Sequence, residues 1–109
     1  MLAGSDLGGI WIIPGFSLHQ ECGELAAAGL SPLQILQMVT WNGAQFLHRE
    51  ASMGTVEVGR NADLVLLDAN PLADAVNLSK IAAVILKGKH LSRQDIDDLK
   101  AGVAASYRD

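Results

Sequence analysis

The residue types that could do chemistry are few, and the first of them stands at the start of the chain. Gly4-Ser5-Asp6 places a carboxylate after two small residues, where a short apolar run, Met1 to Ala3, gives way to a glycine-containing stretch. A carboxylate at the end of a strand, where a loop begins, suits a metal ligand or a general base. The same tripeptide is also ordinary turn chemistry, in which the Asp accepts backbone hydrogen bonds. The three histidines, His19, His48 and His90, never stand at i+2 or i+4 from one another, so no local metal-binding pair is encoded. His19 adjoins the start of a helical pattern, while His48 and His90 read as surface residues near element ends. Glu21 and Glu24 lie one helical turn apart, but nothing beside them would push two carboxyl pKa values apart, and the pair reads as a solvated face. Cys22 has no context for an activated thiolate, and neither a Gly-x-Ser-x-Gly elbow nor a phosphate-cradling Gly-x-x-x-x-Gly-Lys loop is present.

These side chains must be positioned by a small molecule. With 109 residues the chain holds one domain at most, large enough for a core but short for a complete barrel enzyme. Half of it is hydrophobic while 5% is aromatic, so the core must be built from Leu, Ile, Val and Ala. A net charge of -4 and eight scattered Lys and Arg residues give no basic stripe, which argues against a nucleic-acid partner. The single cysteine allows no internal disulfide and favours a reducing, cytoplasmic setting. The apolar stretch from Leu7 to Leu18 is interrupted by Gly8, Gly9, Pro14 and Gly15, too short and broken for a membrane span, and the N-terminus lacks the basic region of a secretory signal.

The pattern of elements is helices first and sheet afterwards. Gly8-Gly9 and Pro14-Gly15 bracket Ile10 to Ile13 as a loop with an apolar middle. Ser17 with Gln20 reads as a capping box for a helix over about 18–28, stopped by Gly29. Ser31, Pro32 and Gln34 open a second helix that runs to about Thr40, with Leu33, Leu36 and Val39 as an inward stripe. Thr40 can cap a short third helix to about His48, with Ala44 and Leu47 facing inward. Ala62 to Leu67 then reads as a strand buried on both faces, Ile81 to Leu86 as a second strand, and Lys87-Gly88-Lys89 as a turn. Ser92 and Asp95 cap a last helix whose Ile96, Leu99, Val103 and Tyr107 share a face, and whose Asp95, Asp97 and Asp98 complement its positive N-terminus.

In order and spacing, Gly4-Ser5-Asp6, Pro14-Gly15, His19-Gln20-Glu21, Ala28-Gly29-Leu30-Ser31-Pro32, Thr40-Trp41-Asn42-Gly43-Ala44, Gly54-Thr55-Val56, Gly59 to Asp68 and Asn70-Pro71-Leu72 resemble the C-terminal third of amidohydrolase-superfamily enzymes. The resemblance covers about residues 2–90 and is nearest the imidazolonepropionase and Xaa-Pro dipeptidase-like branch. Many relatives carry Leu-Gly after the short helix; this chain has Phe46-Leu47-His48, a departure confined to that turn.

The resemblance implies a parent enzyme whose (β/α)8 barrel holds one or two divalent metals, usually zinc, and whose small β-sandwich is assembled from both chain ends. Asp6 would be the aspartate at the end of the eighth barrel strand, binding the metal and shuttling the proton of the attacking water. His19 and Glu21 would lie beside the site for substrate or supporting contacts. Asp63 reads instead as a structural turn residue. The family's His-x-His pair, its mid-chain bridging lysine or carboxylate and two later histidines would lie upstream of Met1. The expectation is therefore an α+β chain: the last βα segment of the barrel over 1–53, a β-sandwich segment over 54–91 and a C-terminal helix over 92–109. Its parent would hydrolyse a carbon–nitrogen bond in a small-molecule amide, cyclic amide or dipeptide, and the chain alone would be inactive, because one aspartate cannot hold a catalytic zinc. The alternative is a non-enzymatic association or binding module derived from that fold. On either reading the apolar surface predicts self-association of the isolated chain.

Overall fold

Glycines and capping side chains set the helix limits in the computed structural model, which describes residues 1–6 and 15–107. Helix α1 spans Ser17–Ala27. Its end is a Schellman motif: Leu30 N donates to Leu25 O at 3.1 Å and Gly29 N to Ala26 O at 3.0 Å, with Gly29 at φ 100°. Helix α2 spans Pro32–Val39 behind a complete capping box, in which Ser31 Oγ accepts from Gln34 N and Gln34 Oε1 accepts from Ser31 N. Helix α3 spans Trp41–Phe46.

Two expected caps do not form. Phe16, not Ser17, holds the N-cap position of α1, and no side chain caps it. The chain enters α1 already in helical conformation, at φ -95° and ψ -35°, which draws Ser17 into the first turn. Thr40 does stand at the N-cap of α3, yet its hydroxyl donates back to Leu36 O at 2.7 Å and supports the end of α2 instead. Helix α3 stops two residues short of His48, and Leu47 is 56% exposed rather than inward, because the Schellman turn that follows carries it off the packed face.

The remaining chain forms an antiparallel sheet with the order β1-β2-β3: β1 Leu64–Leu67, β2 Ile81–Leu86 and β3 Lys89–Ser92. A short 3-10 helix, Ala75–Ser79, joins β1 to β2, with Asp74 accepting from Val76 N. Strands β2 and β3 meet through the two-residue loop Lys87-Gly88, both at positive φ, which defines a type I′ turn. Helix α4, Arg93–Ser106, follows under the predicted Ser92–Asp95 capping box. Strand β1 is not buried on both faces: Val65 and Leu66 are 57% and 63% exposed, because no described element lies across them. Met1 to Ala3 pair with no strand among the described residues, and the expected loop over 8–15 lies almost wholly outside them.

The core is small and sits between the helices and the 3-10 segment. Cys22, Ile35 and Ala75 form it, with Leu25, Ala26, Leu30, Val39 and Leu78 packed around. Met38 and Ala44 are buried nearby, where α2 meets α3. No helix among the described residues is long and apolar enough to cross a membrane.

Candidate active site

Asp6 is exposed and adopts φ 51°, in the left-handed region that Asp visits more readily than most residues. A non-glycine residue held there marks a sharp local change of chain direction and is a reason to look for function. The segment leading to it is anchored on the corner between α2 and α3. Ala3 N donates to Met38 O at 3.4 Å, and Asn42 Nδ2 donates to Met1 O at 2.8 Å. Asn42 carries no chemistry of its own in the sequence, and its spacing gives no sign of a bond to a residue 41 positions away.

His19 and Glu21 are half-buried on α1, but two residues of helix place them about 200° apart around the axis, so they do not share a face. His19 lies on the side of Cys22, three residues on, whose side chain enters the core. No hydrogen bond or ion pair among the described residues joins Asp6, His19 and Glu21. Burial pushes the Cys22 thiol pKa up, the nearby Glu21 carboxylate adds to the rise, and a backbone hydrogen bond offsets part of it. The thiol is therefore neutral and shielded, a packing residue rather than a nucleophile. His48 and His90 are exposed.

The motif from Gly59 to Asp63 works as scaffold. Arg60 donates to the carbonyl of Glu50 and pairs with Glu57 at 3.2 Å. Asn61 N donates to Ser52 O at 2.8 Å, and Asp63 Oδ1 accepts from Lys87 N at 2.8 Å. Together these bonds clip the loop after α3 to the β2–β3 turn.

Among the described residues no three His, Cys, Asp or Glu side chains converge so as to hold a metal ion. One exposed carboxylate can serve as a single ligand, whereas a zinc site takes three or four protein donors. The described residues therefore do not make up a metal site by themselves.

The Amidohydrolase family model matches residues 5–91, from the residue before Asp6 into the last strand of the sheet. The chain belongs to the amidohydrolase family. A 5-methylthioadenosine/S-adenosylhomocysteine deaminase from Caldanaerobacter subterraneus subsp. tengcongensis is 35% identical over 75 residues, 58% of this chain and 17% of that protein. An imidazolonepropionase from Treponema denticola is 50% identical over 40 residues, 37% of this chain and 10% of that protein. The solved structure of a prolidase-like protein from Bifidobacterium longum superimposes with a TM-score of 0.74 at 36% identity, over 93% of this chain and 26% of that one. This amidohydrolase-family chain thus spans between a tenth and about a quarter of the length of the proteins it matches. The mixed helix-and-sheet architecture, with its small antiparallel sheet, is common to this chain and to solved amidohydrolase structures.

Proposed function

We propose that this chain is the C-terminal part of a metal-dependent hydrolase that cleaves carbon–nitrogen bonds in small molecules, with Asp6 as the catalytic residue it contributes. The observation that carries this reading is the family match that begins at Ser5 and so takes in Asp6, a residue in left-handed conformation just beyond an anchored segment. The relatives support the reaction class: the names deaminase, imidazolonepropionase and prolidase all describe attack at a carbon bonded to nitrogen.

On this reading residues 1–53 close a (β/α)8 barrel, residues 54–91 belong to a β-sandwich, and residues 92–109 form a terminal helix. A divalent metal, zinc in the usual case, would be held mainly by residues outside this chain, and its chemistry there is to make water acidic enough to ionise near neutral pH. The part of Asp6 is to accept a proton and return it to the leaving nitrogen, work that an exposed carboxylate on a fixed stretch of backbone can do. His19 and Glu21 belong beside the site; with their different faces on α1, at most one of them turns toward substrate.

The test is Asp6→Asn in the full-length parent, assayed against an Xaa-Pro dipeptide, a cyclic amide and an adenosine analogue, with metal content measured on the purified protein. Turnover is lost while folding and melting temperature are kept. Turnover that survives Asp6→Asn, or a parent free of divalent metal and fully active, refutes the assignment.

A further inference from the structure

We propose that Asn42 is the positioning residue for Asp6, an inference that rests on the catalytic reading of Asp6 given above. Asn42 stands in the first turn of α3, where an asparagine side chain ordinarily serves a local backbone group or solvent. Here its Nδ2 donates at 2.8 Å to the carbonyl of Met1. With the Ala3 N to Met38 O bond it ties residues 1–3 to the α2–α3 corner from both sides. Among the described residues this is the one hydrogen bond from a side chain that holds the segment before Asp6.

The anchor itself is closely packed. Ala44 is 1% exposed, and a methyl group added at Gly54 would lie 2.7 Å from its Cβ, so the middle of α3 is packed closely against the following loop. The stretch from the anchor to the carboxylate is short. Two residues, Gly4 and Ser5, separate Ala3 from Asp6, three steps spanning at most about 11 Å of extended chain. Gly4 leaves open space where a side chain would be, and Asp6 makes no hydrogen bond or ion pair with a described residue. On its N-terminal side the carboxylate therefore takes its position from the main chain that Asn42 holds. A catalytic group displaced by about 1 Å can cost on the order of 100-fold in rate, so the effect belongs in kcat.

The experiment compares Asn42→Asp, Asn42→Gln and Asp6→Asn in the full-length enzyme on whichever member of the substrate panel it turns over fastest. Asn42→Asp keeps the shape but exchanges the donor for a second oxygen facing the Met1 carbonyl. It should lower kcat by about 10- to 100-fold with KM within about twofold, as losses of supporting contacts around catalytic groups do. Asn42→Gln keeps the donor and recovers part of that loss.

Wild-type kcat in Asn42→Asp overturns the proposal while leaving Asp6 catalytic. Retained turnover in Asp6→Asn alone overturns the functional reading, and this inference with it. If Asn42→Asp does not fold, Asn42→Ala, which buries no charge, is judged by the same outcomes. Asn42→Gln equal to Asn42→Ala would also count against the proposal.

Discussion

A Cβ placed on Gly54 would lie 2.7 Å from the Cβ of Ala44 and 3.4 Å from the Trp41 Cα, so the loop after α3 can close on the helix only where residue 54 has no side chain. Gly54 also stands at φ 95°, which L side chains rarely adopt. Gly54→Ala therefore meets both a backbone penalty and an overpacked contact, and should destabilise by about 2–4 kcal/mol. Urea unfolding checks it. The double variant Gly54→Ala/Ala44→Gly relieves the contact but not the backbone, and should recover part of the loss rather than all of it.

His48 marks the turn where the sequence departs from the Leu-Gly of its relatives. Arg49 N donates to Ala44 O at 2.9 Å and His48 N to Gln45 O at 3.0 Å, a Schellman motif with His48 in the left-handed position at φ 55°. The turn forms as it would around glycine, and the histidine bears the strain. His48→Gly should stabilise the chain by about 0.5–1 kcal/mol, the left-handed penalty of an L residue less the entropy glycine loses on folding. A melting temperature that falls in His48→Gly would show that the imidazole holds the turn by some contact of its own.

What the sequence made legible was local chemistry. The Ser31–Gln34 and Ser92–Asp95 boxes and the Gly29 stop follow from interactions within six residues, and the bounds of β2 from an apolar run that ends at turn residues, so they stand in the chain as written. Ser17 and Thr40 have the right side chains for caps, but backbone angles at Phe16 and competition from Leu36 O decide the matter. The bond from Asn42 to Met1 leaves no local signature at all. The apolar run of β1 predicts burial on both faces, and hydrophobicity alone does not say whether a covering layer is at hand.

Lys87 occupies the first position of the type I′ turn between β2 and β3 at φ 51°, where asparagine is strongly favoured ahead of glycine. The turn is nonetheless well tied: Asp63 Oδ1 accepts from Lys87 N, and Gly88 N donates to Ala62 O at 3.0 Å. Lys87→Asn should raise stability by about 0.5 kcal/mol, since asparagine tolerates the left-handed region that lysine does not. Asp63→Ala removes the acceptor and should cost about 1 kcal/mol, with turnover of the parent enzyme unchanged. A large loss of activity in Asp63→Asn at full stability would contradict the scaffold role given to Asp63.

Asp95 accepts from the backbone and hydroxyl of Ser92, and these bonds hold its carboxyl below the ordinary carboxylate range, with weaker help from His90 and Lys89 against a small desolvation cost. A lowered folded-state pKa means that the contribution is present above the unfolded value, about 3.9, and is lost as pH falls through the folded value. The start of α4 should therefore fray only in acid below that range. Carboxyl-detected NMR should find Asp95 titrating at lower pH than a model-peptide aspartate, and Ser92→Ala should bring its midpoint back up. An unshifted Asp95 in the wild-type chain would mean that the capping box is open in solution.

The last prediction concerns association. Val65 and Leu66 are adjacent on β1 and point to opposite faces of the strand, and both are more than half exposed. Leu99 and Val103, one turn apart on α4, are 61% and 60% exposed. β1 is also an edge strand, with unpaired backbone groups along one side. Bare apolar area beside an open edge is covered by another surface when one is within reach, and for the isolated chain that surface is a second copy. Sedimentation at tens of micromolar should show dimers or larger species, and Leu66→Lys combined with Val103→Lys should shift them toward monomer. A wild-type chain that sediments as a single monomeric species would mean that these faces need no cover, and would weaken the case that they are made to lie against the rest of a larger enzyme.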